Sequence, residues 1–597
     1  MRMQKLELLL IGLALLPRCL LGGAHNSSLT NNGAPPAPML TDSEIQTMLE
    51  DNIGGERVGL VVGIVDERGP RVISYGKLDN GTDREADGDT IFEIGSVTKV
   101  FTALLLQDMV ERGEMKLDDP VQKYLPATIK MPTYHGKQIT LLHLATHTSA
   151  LPRDVDNATP QSWRDPGAGY TVAQLSDFLS HCVLHRAPGA RQEYSNLGVA
   201  LLGYVISLKA GRNYETLLEE RICRRLGMES TGVTVAPEQN LRLATGHCLP
   251  GWRVKGEDFS FLPGAGGIRS TANDLLKFVS AYLGLTPSPL RGLMGKAAAY
   301  HALEDGTQRR LGWWGNETIF THSGLTYGFC AHLAFDSKKR RGVVLLSNCA
   351  NSRLVPALQE RERLLGGKSP LPAEIALARA AFGDYAGQYR SGQCPNFYTI
   401  RREGGRWIAQ WIGQSGERYA VYQLYPESVS VFRNEFFDIR VTFLPATNGQ
   451  AQELIFEYPQ GRYEMSRISS GIPEPAAPIQ GNAALYDGFV GRYRKGFLFG
   501  LVHLGPTFSV CRETDELGEH LVGSVRGSHL DSVLPGLSGN FHGCELYPAS
   551  ETSFFNPQAG DLRVRFVRDK KGKTTGMIAH LNGAEIAASR VSSRPAQ

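Results

Sequence analysis

The sequence has almost no charge imbalance: 63 lysines and arginines stand against 60 aspartates and glutamates, a formal +3 over 597 residues. That excludes the basic footprint a nucleic-acid partner requires. The sharpest basic run, Lys338-Lys339-Arg340-Arg341, falls between two strand-like stretches, Phe329 to Phe335 and Gly342 to Ser347, and reads as a solvated hairpin turn. Beyond its N-terminus the chain also lacks any apolar run long enough to span a bilayer. Cysteine is scarce, nine in all. No cluster with metal-ligand spacing stands out in the C-terminal third, and no metal or other cofactor is expected.

At the N-terminus Arg2 and Lys5 precede an apolar run from Leu8 to Leu16, and Gly22-Gly23-Ala24 offers a small-residue cleavage site. Residues 1–24 read as a secretory signal peptide, with a retained signal anchor as the alternative. The expectation is a secreted, extracellular protein that touches membrane only if this segment is kept. Cys19 would leave with the signal. Of the other cysteines, Cys182, Cys223, Cys248, Cys330 and Cys349 precede a linker and Cys394, Cys511 and Cys544 follow it. Both counts are odd, so complete pairing needs at least one disulfide between the two regions; buried thiols are the other reading. Asn26, Asn80, Asn157 and Asn316 are glycosylation candidates.

Two Gly/Ser/Pro-rich stretches, Gly366 to Pro372 and Ser469 to Pro478, divide the mature chain into parts at about 41–365, 378–468 and 483–592. The first is α+β: Val58 to Val65 and Arg71 to Tyr75 form a hairpin turning at Arg68-Gly69-Pro70, helical patterns follow, and strands return at Ile319 to Thr321 and beyond. The other two read as copies of one small β-rich module. Each opens on a shared phrase, Tyr385-Ala386-Gly387-Gln388-Tyr389-Arg390 and Phe489-Val490-Gly491-Arg492-Tyr493-Arg494. Each closes on two strands about a polar turn, at Asn448-Gly449 and Lys571-Gly572.

Chemistry gathers in the first part. In Gly95-Ser96-Val97-Thr98-Lys99, Ser96 opens an apolar helix stopped at Gly113, and Lys99 lies one turn on along the same face. A serine hydroxyl needs an adjacent base, and a desolvated lysine can be one. The helix N-terminus points N–H groups at any oxyanion formed. Next come Tyr194-Ser195-Asn196, where a phenolate favoured by a cationic lysine can move a proton and the Asn196 amide can orient substrate. Last is Thr321-His322-Ser323-Gly324 at a strand end, where His322 can place a donor or positive charge and Gly324 lets substrate approach. His143 and His147 have the spacing of zinc ligands after a possible Thr140 N-cap, but Leu144 stands where a metalloprotease needs glutamate, so both read as structural.

The ordered set Ser-x-x-Lys, Tyr-x-Asn, His-x-Gly resembles the serine β-lactamase and penicillin-binding-protein family on its class C, esterase-like side, over roughly residues 50 to 350. Lys116 to Val121, Ile139 to Ser149 and Gly264 to Ala272 extend the likeness. In length and plan the chain is similar to vertebrate β-lactamase-like proteins, and its two modules look like the lipocalin-like domains appended to such proteins. The resemblance implies a β-lactamase/transpeptidase-like antiparallel sheet with a helical insert. It implies Ser96 as the acylated nucleophile, Lys99 as its activator, and Tyr194 completing the proton network. Asn196, His322, Ser323 and Gly324 would bind substrate, and the Ser96 and Leu325 N–H groups would form an oxyanion hole. His322 stands where many members carry lysine, which points away from β-lactam turnover. The expected function is a secreted serine hydrolase or acyltransferase acting on a small-molecule or peptide amide or ester. The alternative is a non-catalytic binding or scaffold protein keeping the cleft; an oligomer is compatible with either.

Overall fold

A computed structural model describes residues 40–53, 58–155, 157, 169–249, 252–254, 256, 262–304, 306–350 and, between 385 and 592, the strands given below with adjoining residues. The signal-peptide segment, Asn26, the first linker, the second linker beyond Ser469 and the Asn448-Gly449 turn lie outside the described residues.

The first part is organised by an antiparallel sheet drawn from both ends of its sequence. β1 (Gly59–Asp66) and β2 (Gly69–Gly76) come from the start, and β3 (Trp314–Gly315), β4 (Ile319–Leu325), β5 (Cys330–Asp336) and β6 (Arg341–Ser347) from the end, in the order β2-β1-β6-β5-β4-β3. Every residue of β1 is buried, because the sheet is covered on both faces. Leu60, Val62 and Ile64 pack on Ile45 and Leu49 of α1 (Asp42–Ile53). Val61 and Val65 turn to the other face, with Leu276 and Val279 of a second helix, Ala272–Leu283.

Two boundaries differ from the sequence reading. The β1–β2 turn is Glu67-Arg68, with Gly69 and Pro70 already in β2, because Asp66 Oδ1 accepts the Arg68 N–H at 2.8 Å and closes the turn earlier. The strand read as Ile319 to Thr321 runs on to Leu325, with the His-x-Gly motif in its last residues, since pairing with β5 continues through Leu325↔Cys330. The basic run falls in the turn from β5 to β6, as expected for solvated charge, with Arg341 opening β6.

The two C-terminal modules are closed eight-stranded barrels, the first running from Gly387–Arg390 to Gly461–Ser469 and the second from Gly491–Arg494 to Ala584–Ser592. Their cores repeat residue for residue. Tyr389 Oη donates to the Tyr385 carbonyl at 2.9 Å, and Tyr493 Oη to the Phe489 carbonyl at 2.6 Å. Tyr385 stacks on Phe443 and Phe489 on Phe566, with ring centroids 4.3 and 4.4 Å apart. Arg467 reaches the Ala386 carbonyl as Arg590 reaches that of Val490. Aromatic side chains fill the first barrel, Tyr398, Phe432 and Phe456 among them, as in barrels of this strand number whose interior is packed.

Among the described residues no helix is long and apolar enough to cross a membrane, and no group of three or more His, Cys, Asp or Glu side chains is placed to hold a metal ion. Cys223 and Cys330 are buried free thiols in the two cores flanking the sheet, so the fully paired cysteine scheme does not hold. Burial raises both thiols, Cys330 to about 12.

Candidate active site

The nucleophile segment is a short 3-10 turn, Gly95–Val97, leading into α2 (Thr98–Glu111), so Ser96 precedes the α-helix instead of opening it. Nearly all of α2 is buried; Phe101 stacks on Phe278 with centroids 4.3 Å apart, an anchor whose truncation to alanine would cost about 3–5 kcal/mol. Gly113 ends this segment at φ +68°, donating to the Val110 carbonyl.

Two threonines on α2 fix a second piece of backbone. Thr98 Oγ1 accepts the Ile268 N–H at 3.1 Å, and Thr102 Oγ1 donates to the Gly264 carbonyl at 2.6 Å. Gly264 can lie there because it meets Gly203 backbone to backbone: a Cβ on Gly264 would come within 3.0 Å of the Gly203 Cα. The Ala265 carbonyl is thereby aimed at Lys99.

Asn196 arrives at the start of α4 (Asn196–Ala210), which follows α3 (Leu141–Ala145). Ser195 is the N-cap of α4: its Oγ accepts the Gly198 N–H at 2.9 Å and donates to the Pro152 carbonyl at 2.6 Å. The two histidines nearby serve backbone: His143 Nδ1 accepts the Thr140 N–H in a capping box, and His147 Nδ1 accepts the Ser195 N–H at 3.2 Å.

Lys99 Nζ is the hub. It lies 2.8 Å from Ser96 Oγ, 2.9 Å from Asn196 Oδ1 and 2.7 Å from the Ala265 carbonyl oxygen. Burial, then the Arg153 guanidinium, pushes Lys99 well below the ordinary lysine value. A neutral amine has two hydrogens and one lone pair. Asn196 Oδ1 and the Ala265 carbonyl can only accept, so they take the hydrogens and the lone pair is left for the Ser96 hydroxyl. This is the arrangement of a general base on its nucleophile.

The Tyr194 hydroxyl is close enough to Ser96 to feel it, and its ring lies 4.9 Å from Lys99 Nζ. The sequence expectation of a favoured phenolate does not hold. Burial pushes Tyr194 up to about 12, outweighing the opposite pull of Ser96 and of the Arg153 guanidinium, so the group is a phenol that can donate. His322 departs from expectation in the same direction. Burial, with Lys99 close by, pushes it down to about 3, so it carries no charge at neutral pH.

β4 lies against the nucleophile turn at backbone distance. A Cβ on Gly324 would sit 1.9 Å from the Ile94 carbonyl and 3.0 Å from the Ser96 nitrogen; one on Gly95, at φ +49°, would sit 2.8 Å from the Leu325 nitrogen. Only glycine fits at either position, and the fit packs the Leu325 main chain directly against the turn that carries Ser96. Ser323 Oγ, by contrast, hydrogen-bonds His332 Nδ1 at 2.8 Å on β5.

Sequence reasoning missed four contributors. The Ala265 carbonyl has no side-chain signature, although the Gly264 to Ala272 run marks its place. Asp154 Oδ1 accepts from Asn196 Nδ2 at 2.9 Å, and Arg153 lies 5.1 Å from the Tyr194 ring. Trp314 on β3 and His147 extend an aromatic stack from Tyr194, with centroids 4.3 Å apart for His147–Tyr194 and 5.9 Å for His147–Trp314. Among the glycosylation candidates, Asn80 spends its Nδ2 hydrogens on main-chain carbonyls and Asn157 on the Gln174 carbonyl and the Asp177 carboxylate, whereas Asn316 is exposed with only its Oδ1 engaged.

Comparison with known proteins places this geometry. The chain is 34% identical over 243 residues to the D-alanyl-D-alanine-carboxypeptidase/endopeptidase AmpH of Escherichia coli K12, covering 40% of this chain and 62% of that protein's length. It is 26% identical over 354 residues to a β-lactamase of Pseudomonas fluorescens, covering 52% of this chain and 92% of the relative. Among solved structures, the D-alanine carboxypeptidase AmpC from Burkholderia cenocepacia aligns with a TM-score of 0.45 and 27% identity, over 55% of this chain and 99% of that one. The family model described as Beta-lactamase matches residues 43–366, more than half of the sequence, and the chain belongs to the Beta-lactamase family.

Proposed function

We propose that the protein is a serine hydrolase or acyltransferase that cleaves an amide or ester of a small molecule or peptide through an acyl-Ser96 intermediate. The observation that carries this reading is the Lys99 hub, whose two obligate acceptors leave a lone pair for Ser96. In the first half-reaction Ser96 Oγ bonds to the substrate carbonyl carbon and its proton passes to Lys99 Nζ. The carbonyl oxygen becomes an oxyanion held by the Ser96 and Leu325 N–H groups. Collapse breaks the bond to the leaving amine or alcohol, which takes its proton from Tyr194 Oη; Lys99 returns a proton to Tyr194. Water, or an acceptor nucleophile, then releases the acyl group by the same steps in reverse. Asn196, tethered to Asp154, positions the substrate amide. The named activities of AmpH and of the β-lactamase relative fit this chemical class.

We also propose that the chain follows the secretory route implied by Arg2, Lys5 and the Leu8 to Leu16 run, and that its glycan, if one is added to the described region, sits on Asn316. Turnover tests the main reading. Native protein is expected to release the leaving group from acyl esters or D-alanyl amides while Ser96→Ala does not. Equal turnover by both proteins would remove Ser96 from the chemistry, and turnover by neither would favour a binding or scaffold role for the cleft.

A further inference from the structure

This inference rests on the hydrolase reading and identifies what must flank the bond that is cut. His322 is 3% exposed, and its Nδ1 lies 2.8 Å from the Ser323 carbonyl oxygen. A carbonyl oxygen only accepts, so Nδ1 carries the hydrogen. The neutral ring then presents a bare lone pair at Nε2, and that atom is buried with no hydrogen-bond partner among the described residues. Buried polar atoms are almost always paired, and one that is not, in a cleft beside a nucleophile, is a place for a ligand atom.

The surroundings define which ligand atom. Lys99 lies close enough to act on the His322 charge, but its hydrogens are committed to Asn196 and Ala265. His147, which also feels His322, is held without charge by burial and by Lys99, so it offers no cation. Arg153 has the Asp154 carboxylate 3.6 Å away. Ser323 directs its hydroxyl to His332 on β5. Among the described residues no uncommitted cation faces Nε2 from these elements, and His322 itself is not charged.

We propose that His322 Nε2 accepts a hydrogen bond from the substrate, so that this site selects an uncharged donor, an amide N–H or a hydroxyl, beside the scissile acyl bond and rejects a carboxylate there. A carboxylate has no hydrogen to give and sets its lone pairs against that of Nε2. A site built to pair with a donor discriminates strongly against analogues lacking one, because its own acceptor is then left unsatisfied.

The test uses N-acetyl-D-alanyl-D-alanine as its free acid, its C-terminal primary amide and its C-terminal methyl ester. Binding is measured by calorimetry on full-length Ser96→Ala protein, and hydrolysis on the native protein. The primary amide is expected to bind at least about tenfold tighter than the acid and the methyl ester, with kcat/KM in the same order. His322→Lys, which replaces the acceptor by an ammonium, is expected to reverse the order of acid and amide. Binding of the acid as tight as that of the amide, or no measurable binding of the amide, overturns the proposal. An amide preference in binding without hydrolysis by native protein overturns the hydrolase reading and leaves this one standing.

Discussion

Replacing Lys99 by methionine keeps the length of the side chain and removes its amine, and it should separate catalysis from stability. General-base assistance is worth about 10²- to 10⁴-fold, or roughly 3–5 kcal/mol of barrier. The second-order rate of Ser96 labelling by a fluorophosphonate, followed by intact mass, should fall by that factor. In native protein the rate should also rise with pH until Lys99 has lost its proton, at a pH below the ordinary lysine value of 10.5, and the variant should lack this limb. Stability should move the other way. A lysine with a depressed folded pKa binds fewer protons folded than unfolded, so native stability increases with pH between the two values, by at most about 1.4 kcal/mol per pH unit. Methionine removes that slope. It also strips a donor from Asn196 Oδ1 and the Ala265 carbonyl, costing about 1–3 kcal/mol each, but this cost does not depend on pH. Urea unfolding should therefore show the difference between variant and native shifting in the variant's favour as pH falls below 10.5. Labelling of Lys99→Met within about threefold of native across about pH 6–10 would refute the general-base argument.

Tyr194→Phe removes the hydroxyl, the one donor of a buried phenol held near 12, and should slow turnover by at least about tenfold while leaving the fold intact by circular dichroism. Gly324→Ala drives a methyl into the Ile94 carbonyl and moves β4 off the nucleophile; about 100-fold loss of labelling is expected, since displacements near 1 Å cost that much. Asp79 accepts from the fully buried His247 and from Arg253, which hold its carboxyl well below its usual 3.8. The stability this contributes is present above 3.8 and lost as pH falls below it, and Asp79→Asn should cost about 2–4 kcal/mol near neutrality, read by thermal unfolding at both pH values. Protein secreted from a glycosylating host should carry its glycan on Asn316 and none on Asn80, by peptide mapping; an occupied Asn80 would contradict the Leu241 and Leu243 carbonyl contacts.

Much of this arrangement is legible in the sequence because the cues are local. A nearly unbroken apolar run sets β1, the apolar run after Asn196 sets α4, and the paired phrases at Tyr385 and Phe489 disclose the duplicated modules that close into barrels. The order of Ser96, Lys99, Tyr194, Asn196 and His322 was enough to point to the β-lactamase/transpeptidase-like fold. What escaped it depends on burial. Residue type alone makes Tyr194 a potential phenolate and His322 half charged. Enclosing both beside Lys99 in one dry cleft reverses each assignment, and burial cannot be read from three short motifs. The Ala265 carbonyl was invisible because every residue has one. Cysteine parity could not choose between bridges and buried thiols for a similar reason: Cys223 and Cys330 are placed by apolar packing, each in its own core.

The central claim is that Ser96 is the nucleophile. Intact-mass measurement of native and Ser96→Ala protein after exposure to a fluorophosphonate tests it most directly. One phosphonyl adduct on the native chain, mapped to the peptide containing Ser96 and absent from Ser96→Ala, is the predicted result. No adduct on native protein under conditions that label a control serine hydrolase, or an adduct that persists in Ser96→Ala, would contradict it.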